Sequence, residues 1–190
     1  MWLERSLVTV AFSVVLYLFL FIYLKKSKCS FKTILGCTLL HFYAFEVLYI
    51  TILPFPLDKL GAESLQMMAT NSSYINLIPI IGLFKYDLYS LVRQVVGNIV
   101  LFIPLGFLLP IVSGKCKGVG TIIKYSFIAS LFIEALQLII SIFVVKAPIR
   151  VFDINDLILN TLGAVVGYIL YSNIKMIVCN KHKNKVDTDS

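Results

Sequence analysis

Residues 134–160 read EALQLIISIFVVKAPIRVFDINDLILN. An apolar run that suits lipid contains one carboxylate, Glu134, and is followed by a short turn that carries Arg150 and Asp153. Asp156 then opens a second apolar run. An ionisable group at membrane depth costs roughly 2.5–3.5 kcal/mol on insertion scales, so such groups are rare and are candidates for function. The stretch therefore predicts two neighbouring membrane helices joined at a polar turn.

The composition of the whole chain agrees with a membrane protein. Of its 190 residues, 59% are hydrophobic and 14% are charged, whereas soluble domains are about 45–50% apolar and about 25% charged. A membrane-spanning helix needs about 20 apolar residues. Five stretches are long enough, namely 6–24, 33–53, 92–113, 121–145 and 156–177. We predict an all-α polytopic bundle of about five transmembrane helices, with the lipid bilayer as its main partner.

The basic residues predict the orientation of this bundle. Eleven of the 17 lysines and arginines follow the first stretch, lie between the third and fourth or at the start of the fourth, or lie at the end of the fifth and beyond it: Lys25, Lys26, Lys28, Lys32, Lys115, Lys117, Lys124, Lys175, Lys181, Lys183 and Lys185. The positive-inside rule places this side in the cytoplasm, with the N-terminus outside and the C-terminus inside. We divide the chain into a first span with a basic loop (1–32), a main membrane domain (33–178) and a disordered cytoplasmic tail (179–190).

The longest connection, 54–91, falls on the predicted outer side. Its second half is too apolar to lie free in water, but Pro79 and Gly82 interrupt it. We therefore expect it to lie in the outer interface, with tyrosines such as Tyr86 at headgroup level, or to form a partly re-entrant cap.

Polar and small residues repeat at helical spacing along the last two spans. The fourth carries Ser126, Ser130, Glu134, Gln137 and Ser141, and the fifth carries Asp153, Asp156, Asn160, Gly163, Gly167 and Tyr171. At about 100° per residue, each set falls within an arc of about 80°. Such faces pack against other helices or line a cavity rather than face lipid.

Most intramembrane polar residues fall in the predicted outer halves of their helices, including Glu46 on the second span and Asn98 on the third. We predict a polar pocket that opens to the outside. Its predicted parts are a floor of Glu134 and Gln137, a rim of Asp153, Asp156 and Asn160, and an anion-contacting group, Arg150.

A purely structural interpretation fits the same residues. In it, Asp153 only caps the fifth helix, and Asp156 is favoured in the first turn by the helix dipole. Arg150 then pairs with Asp153, and a protonated Glu134 donates a hydrogen bond between helices. Both interpretations stay open at this point.

Catalytic signatures are absent from the sequence. It has no H-E-x-x-H motif, no glycine-rich phosphate loop and no nucleophile elbow. The four cysteines show no metal-binding spacing. Basic residues are not interleaved with aromatic ones as in nucleic-acid-binding faces. We therefore predict no catalytic residue, no cofactor, no metal and no nucleic-acid partner.

Two blocks of sequence form spaced motifs. Residues 97–110 read GNIVLFIPLGFLLP, and the later block is Glu134-x-x-Gln137 followed by Arg150-x-x-Asp153-x-x-Asp156-x-x-x-Asn160. Both blocks resemble the signature of the VanZ-like family. The earlier Asn76-Leu-Ile-Pro79 also fits, so the resemblance spans about residues 33–172. It implies a multi-pass protein of the bacterial cytoplasmic membrane that is linked to teicoplanin resistance. The family brings no established enzyme activity, so these residues are motif positions rather than catalytic groups.

The leading functional hypothesis is a non-enzymatic cell-envelope protein. Its pocket would bind a glycopeptide, a lipid-linked cell-wall precursor or a lipid headgroup. The alternatives are a carboxylate- or metal-dependent enzyme, with Asp153 and Asp156 as ligands, and a flippase that acts on a lipid-linked envelope substrate.

Overall fold

The computed structural model describes residues 2–3, 7–52, 55–56, 58–69, 73–79, 87–114, 116 and 118–188. These residues form six α-helices and four two-residue strands. The helices are α1 Leu7–Lys26, α2 Phe31–Ile52, α3 Lys59–Met68, α4 Leu88–Val112, α5 Val119–Ile139 and α6 Ile154–Thr188. The strands are β1 Trp2–Leu3, β2 Phe55–Pro56, β3 Ile75–Asn76 and β4 Phe152–Asp153.

Five of the described helices are long and apolar enough to cross a membrane, which confirms the predicted all-α architecture and the predicted number of spans. The spans are Thr9–Lys26, Phe31–Ile52, Leu88–Val112, Val119–Val145 and Ile154–Asn180. The third begins four residues before the predicted boundary because Asp87 caps it, accepting a hydrogen bond from the Ser90 N–H at 2.9 Å. This hydrogen bond, together with one from the Ser90 hydroxyl at 2.8 Å, holds the pKa of Asp87 below its usual value of 3.8.

The pair α4–α6 forms the most extensive contact of the bundle. A Cβ placed on Gly163 would overlap the Ile99 carbonyl oxygen, and one on Gly167 would overlap the Ile103 carbonyl oxygen. Both numbers rise together, so the two helices run parallel. On the opposite helix, Gly106 meets the backbone of Ala164 in the same way. The glycines therefore let the two backbones touch, as small residues do in membrane helix pairs.

The other spans surround this pair. Helix α5 packs on α6, and α2 packs on α4, where the Tyr43 hydroxyl donates to the Leu101 carbonyl at 2.8 Å. Helix α1 packs on α2 through two side-chain hydrogen bonds, Ser13 with His41 at 3.1 Å and Tyr17 with Thr38 at 3.0 Å. The core between the inner helices centres on buried Phe102, with Ile122, Ile133, Val47, Cys116 and Ala164.

Helix ends define two ends of the bundle. The lysine-rich end contains the start of α2, the end of α4, the start of α5 and the second half of α6. The opposite end, called the strand end below, contains the starts of α4 and α6, the end of α5 and all four strands.

At the strand end, the long connection is partly regular. Helix α3 is capped by Asp58, which accepts from the Gly61 N–H at 3.1 Å, and Gln66 Nε2 donates to the Val145 carbonyl. This helix packs against the end of the fourth span. The residues that would test an interfacial or re-entrant path, 80–86 with Gly82 and Tyr86, lie outside the described residues.

At the other terminus, α6 continues to Thr188. No glycine or proline interrupts its last part, and a helix already nucleated by a long membrane span extends at little cost per residue. The disorder expected of the tail, residues 179–190, stays a prediction.

Candidate functional site

The fourth span ends in a π-helical turn, Ile140–Val145, followed by Lys146 in the left-handed conformation with φ 57°. The chain then folds back onto the helix it has left. Ser141 Oγ donates to the Arg150 carbonyl at 2.8 Å and accepts from the Arg150 N–H at 3.1 Å. Arg150 is thus held through its backbone while its side chain stays exposed. π-Turns of this kind are frequent at functional sites.

Glu134 lies under this turn and is 2% exposed. Its Oε2 accepts a hydrogen bond from the Asp153 N–H at 2.9 Å. The acceptor role differs from the interhelical donor role of the structural interpretation. Since a buried backbone N–H needs a partner, Glu134 fixes the position of β4 over α5.

Asp153 is 5% exposed and has two sets of partners. Its Oδ1 accepts from both the backbone N–H and the side-chain amide of Asn155, each at 2.8 Å. Its Oδ2 accepts from Asn76 Nδ2 at 3.0 Å. Asp153 therefore caps α6, as the structural interpretation holds, and it also binds a residue 77 positions earlier in the chain.

The partnership with Asn76 follows from a strand pair. Strands β3 and β4 run parallel, with Ile75 opposite Phe152 and Asn76 opposite Asp153. The Phe152 N–H donates to the Tyr74 carbonyl at 2.9 Å. This short pairing brings the long connection against the start of α6.

Asp156 joins α6 to α4. Its Oδ1 accepts from Asn98 Nδ2 at 2.5 Å and from Gln94 Nε2 at 3.2 Å. Gln94 and Asn98 are four residues apart, so they lie on one face of α4. Amide donors of this kind satisfy a carboxylate that would otherwise be costly to bury.

Asn160 lies one turn deeper than Asp156 and is 3% exposed. Its Nδ2 donates to Ser130 Oγ at 2.9 Å, across the contact between α5 and α6. Its Oδ1 is buried and has no hydrogen-bond partner among the described residues. The structure therefore places Asn160 inside the bundle rather than at an exposed rim.

We call these joined residues the polar cluster: Glu134, Asp153, Asn155, Asp156, Asn76, Gln94 and Asn98, with Arg150 at its exposed edge. Asp153, Asp156 and Arg150 lie close enough to Glu134 to interact with it electrostatically. Although part of the Arg150 side chain is exposed, the protein packed around the rest displaces water and lowers the pKa of Arg150, an effect that Glu134 opposes. Arginine stays charged after any such shift, so the cluster combines one cation with three carboxyl groups.

Like Asn160, the predicted residues Gln137 and Glu46 are not members of the polar cluster defined above. Gln137 Nε2 donates to the Thr51 carbonyl at 2.9 Å and so ties α5 to the end of α2. Glu46 is half-buried on α2, next to the buried Val47.

Three residues of the cluster were not among the predicted site residues. The sequence indicates Asn76 only as part of the Asn76-Leu-Ile-Pro79 motif. No pattern in the sequence indicates Asn155, apart from its position next to Asp156. Gln94 stands four residues before Asn98 on a predicted helix, a spacing that could have identified it.

Cavities lined by described residues lie away from the polar cluster. One of about 430 Å³ lies beside α3, and one of about 1030 Å³ lies at the lysine-rich end. Among the described residues, no three His, Cys, Asp or Glu side chains are arranged to hold a metal ion.

Comparisons with known proteins point in one direction. The profile of the VanZ/LLP1 family matches residues 40–177, a range that contains the whole polar cluster. Protein VanZ of Enterococcus faecium is 30% identical over 142 residues, which cover 74% of this chain and 75% of that protein. No solved structure matches the chain.

Proposed function

Because this chain belongs to the VanZ/LLP1 family, we propose that it lowers the susceptibility of a bacterium to glycopeptides such as teicoplanin. It does so as a multi-pass protein of the cytoplasmic membrane. The proposal involves binding and no catalytic step. The polar cluster recognises the drug, a lipid-linked cell-wall precursor or a lipid headgroup at the outer face of the membrane.

The observation that supports a binding role is that an exposed side chain, Arg150, lies beside buried residues of the polar cluster that are hydrogen-bonded to one another. Burial of polar groups is costly, yet α4, α5, α6 and β3 all contribute polar side chains to this one place. Ser141 holds the backbone of Arg150 itself, and Glu134 holds the backbone N–H of Asp153, three residues later. A guanidinium held in this way suits bidentate contact with a phosphate or carboxylate.

The proposal requires the strand end to face outside, as the lysine distribution predicts. This is tested in cells that produce a variant in which serine replaces the four native cysteines. Single cysteines are then placed at opposite ends, at Glu63 on α3, whose side chain is partly exposed, or at Lys175 on α6, which is exposed. An impermeant thiol reagent added outside should label position 63 and not position 175. The reverse pattern would contradict an outward-facing cluster.

The resistance assay tests the function itself. Production of the wild-type chain should raise the inhibitory concentration of teicoplanin, and Glu134→Ala or Asp156→Ala should abolish the rise at equal protein level in the membrane. Arg150→Gln should also abolish the rise, although it changes none of the buried residues of the polar cluster. Glu63→Gln, which removes an exposed carboxylate on α3, is the matched control and should keep resistance.

One further variant and two outcomes separate the site from stability. Glu134→Gln keeps an oxygen that can accept from the Asp153 N–H, so it tests the ionisable group separately from the hydrogen bond. If Arg150→Gln and Asp156→Ala are both produced at the wild-type level and both keep full resistance, the site assignment is wrong. If the wild-type chain itself fails to raise the inhibitory concentration, the proposed function is wrong.

A further inference from the structure

The cavity of about 1030 Å³ at the lysine-rich end is an open groove on the far side of the bundle from the polar cluster. It lies between the first half of α2, the end of α4 and the second half of α6. Its walls are mainly apolar and include Leu35, Leu39, Ile111, Ile174 and Val178. The volume is at the upper end of the ~300–1,000 Å³ range of small-molecule sites.

Close packing defines the walls of this groove. Gly36 is buried, and a Cβ placed on it would lie 3.0 Å from Ile111 Cγ2, so α2 and α4 touch along its base. On the facing side, the rings of Phe107 and Tyr171 meet edge to face with centroids 6.0 Å apart. Such aromatic pairs hold a fixed geometry. The groove is thus a shaped site between three helices rather than a gap between loose side chains.

The charges at the groove all have one sign. Lys32 from α2 and Lys175 from α6 are both exposed and both line the groove, and its described lining contains no carboxylate. Lysines near the ends of membrane helices extend their ammonium groups to the headgroup layer while their stems cover apolar surface. An apolar groove below two such lysines matches an acyl chain joined to an anionic headgroup.

We propose that this groove is a binding site for a phospholipid with an anionic headgroup. One acyl chain lies against Leu39, Ile111 and Ile174, and the headgroup phosphate contacts Lys32 and Lys175. A second copy of the chain fits less well, because a parallel partner would bring its own lysine-rich end against this one. The site is separate from the polar cluster, so the proposal stands or falls independently of the proposed function.

Charge dependence is tested by native mass spectrometry of the full chain titrated with phosphatidylglycerol or phosphatidylcholine. The wild type should bind phosphatidylglycerol more tightly than phosphatidylcholine. Lys32→Gln with Lys175→Gln should weaken that binding roughly 30-fold, because a lysine near an anionic headgroup contributes about a factor of five. The control, Lys26→Gln with Lys124→Gln, removes equal charge from the same end outside the groove and should change binding less than about three-fold. Equal losses in both variants would overturn the proposal.

The groove itself is tested by filling it. Ile174→Trp adds bulk to the groove wall without changing charge and should abolish retention of phosphatidylglycerol. Ile169→Trp is the matched control, since it makes the same change on the same helix at a similar exposure, 49% against 51%. Unchanged retention of phosphatidylglycerol in Ile174→Trp would overturn the proposal. It would also be overturned if the wild type formed a dimer without lipid and Ile174→Trp dissociated that dimer.

Discussion

Replacement of Gly163 by alanine should force α4 and α6 apart. The added Cβ would overlap the carbonyl oxygen of Ile99 and crowd its Cα, and these are backbone atoms that no rotamer change can move. The helices can accept the methyl group only by shifting relative to one another. Such a shift would also lengthen the hydrogen bond between Asn98 and Asp156, which joins the same two helices.

The expected cost can be worked from two opposing effects. Extra atoms in a well-packed core cost about 1–3 kcal/mol, and a rigid backbone obstacle places this case near the upper limit. Alanine favours the helix by about 1 kcal/mol over glycine. The net prediction for Gly163→Ala is a loss of about 2 kcal/mol in the free energy of unfolding.

The assay is SDS-induced unfolding of the purified chain, followed by far-UV circular dichroism. Gly97→Ala is the control, because a Cβ at Gly97 on α4 meets no described neighbouring atom within 4 Å. It should leave stability unchanged or raise it by up to about 1 kcal/mol. If both variants unfold at the same SDS fraction, the close contact between α4 and α6 does not contribute to stability as argued.

Three further predictions concern the strand end. Glu134→Leu leaves the Asp153 N–H buried without an acceptor and should cost about 1–3 kcal/mol in the same SDS titration, whereas Glu134→Gln should cost less; equal costs would contradict the acceptor role. Asn98→Ala should cost about 1 kcal/mol and should cost less in an Asp156→Ala background, so additive losses in that double-mutant cycle would show that the two side chains do not interact. The Asp87 carboxylate has a lowered pKa in the folded chain, so it stabilises above its ordinary pKa of 3.8 and this contribution is lost as pH falls through the lowered value. Asp87→Asn should therefore unfold more easily than the wild type at neutral pH and match it in strong acid, and a gap that persists in strong acid would refute this.

The helices were predictable because a bilayer imposes a length and an apolar composition that can be counted along the chain. The faces of α5 and α6 were predictable for a similar reason, since helical periodicity places Ser130, Glu134, Asp156 and Asn160 toward the interior. Local spacing therefore indicates the interior positions of Glu134 and Asp156 in the polar cluster and of the Ser130–Asn160 pair beside it.

Partners distant in sequence were not predictable from spacing. Asn76 meets Asp153 because two-residue strands pair across 77 positions, and such short strands leave almost no periodic pattern. Likewise, Gln137 lies on the predicted face of α5, but the packing of α2 directs it to the Thr51 carbonyl. A single sequence shows which face is polar, whereas the neighbouring helix decides which polar group it meets.

The hydrogen bonds that Asp153 and Asp156 accept from earlier parts of the chain also have a consequence for biogenesis. Asn76, Gln94 and Asn98 leave the ribosome well before Asp153 and Asp156, the carboxylates that they bind. Until α6 has inserted after α5, the side-chain amides on α4 lie in the membrane without these acceptors. A chain that stops after α5 would therefore leave the amides of Gln94 and Asn98 without these acceptors in the membrane, where unpaired polar groups are costly, and insertion of α6 supplies the acceptors.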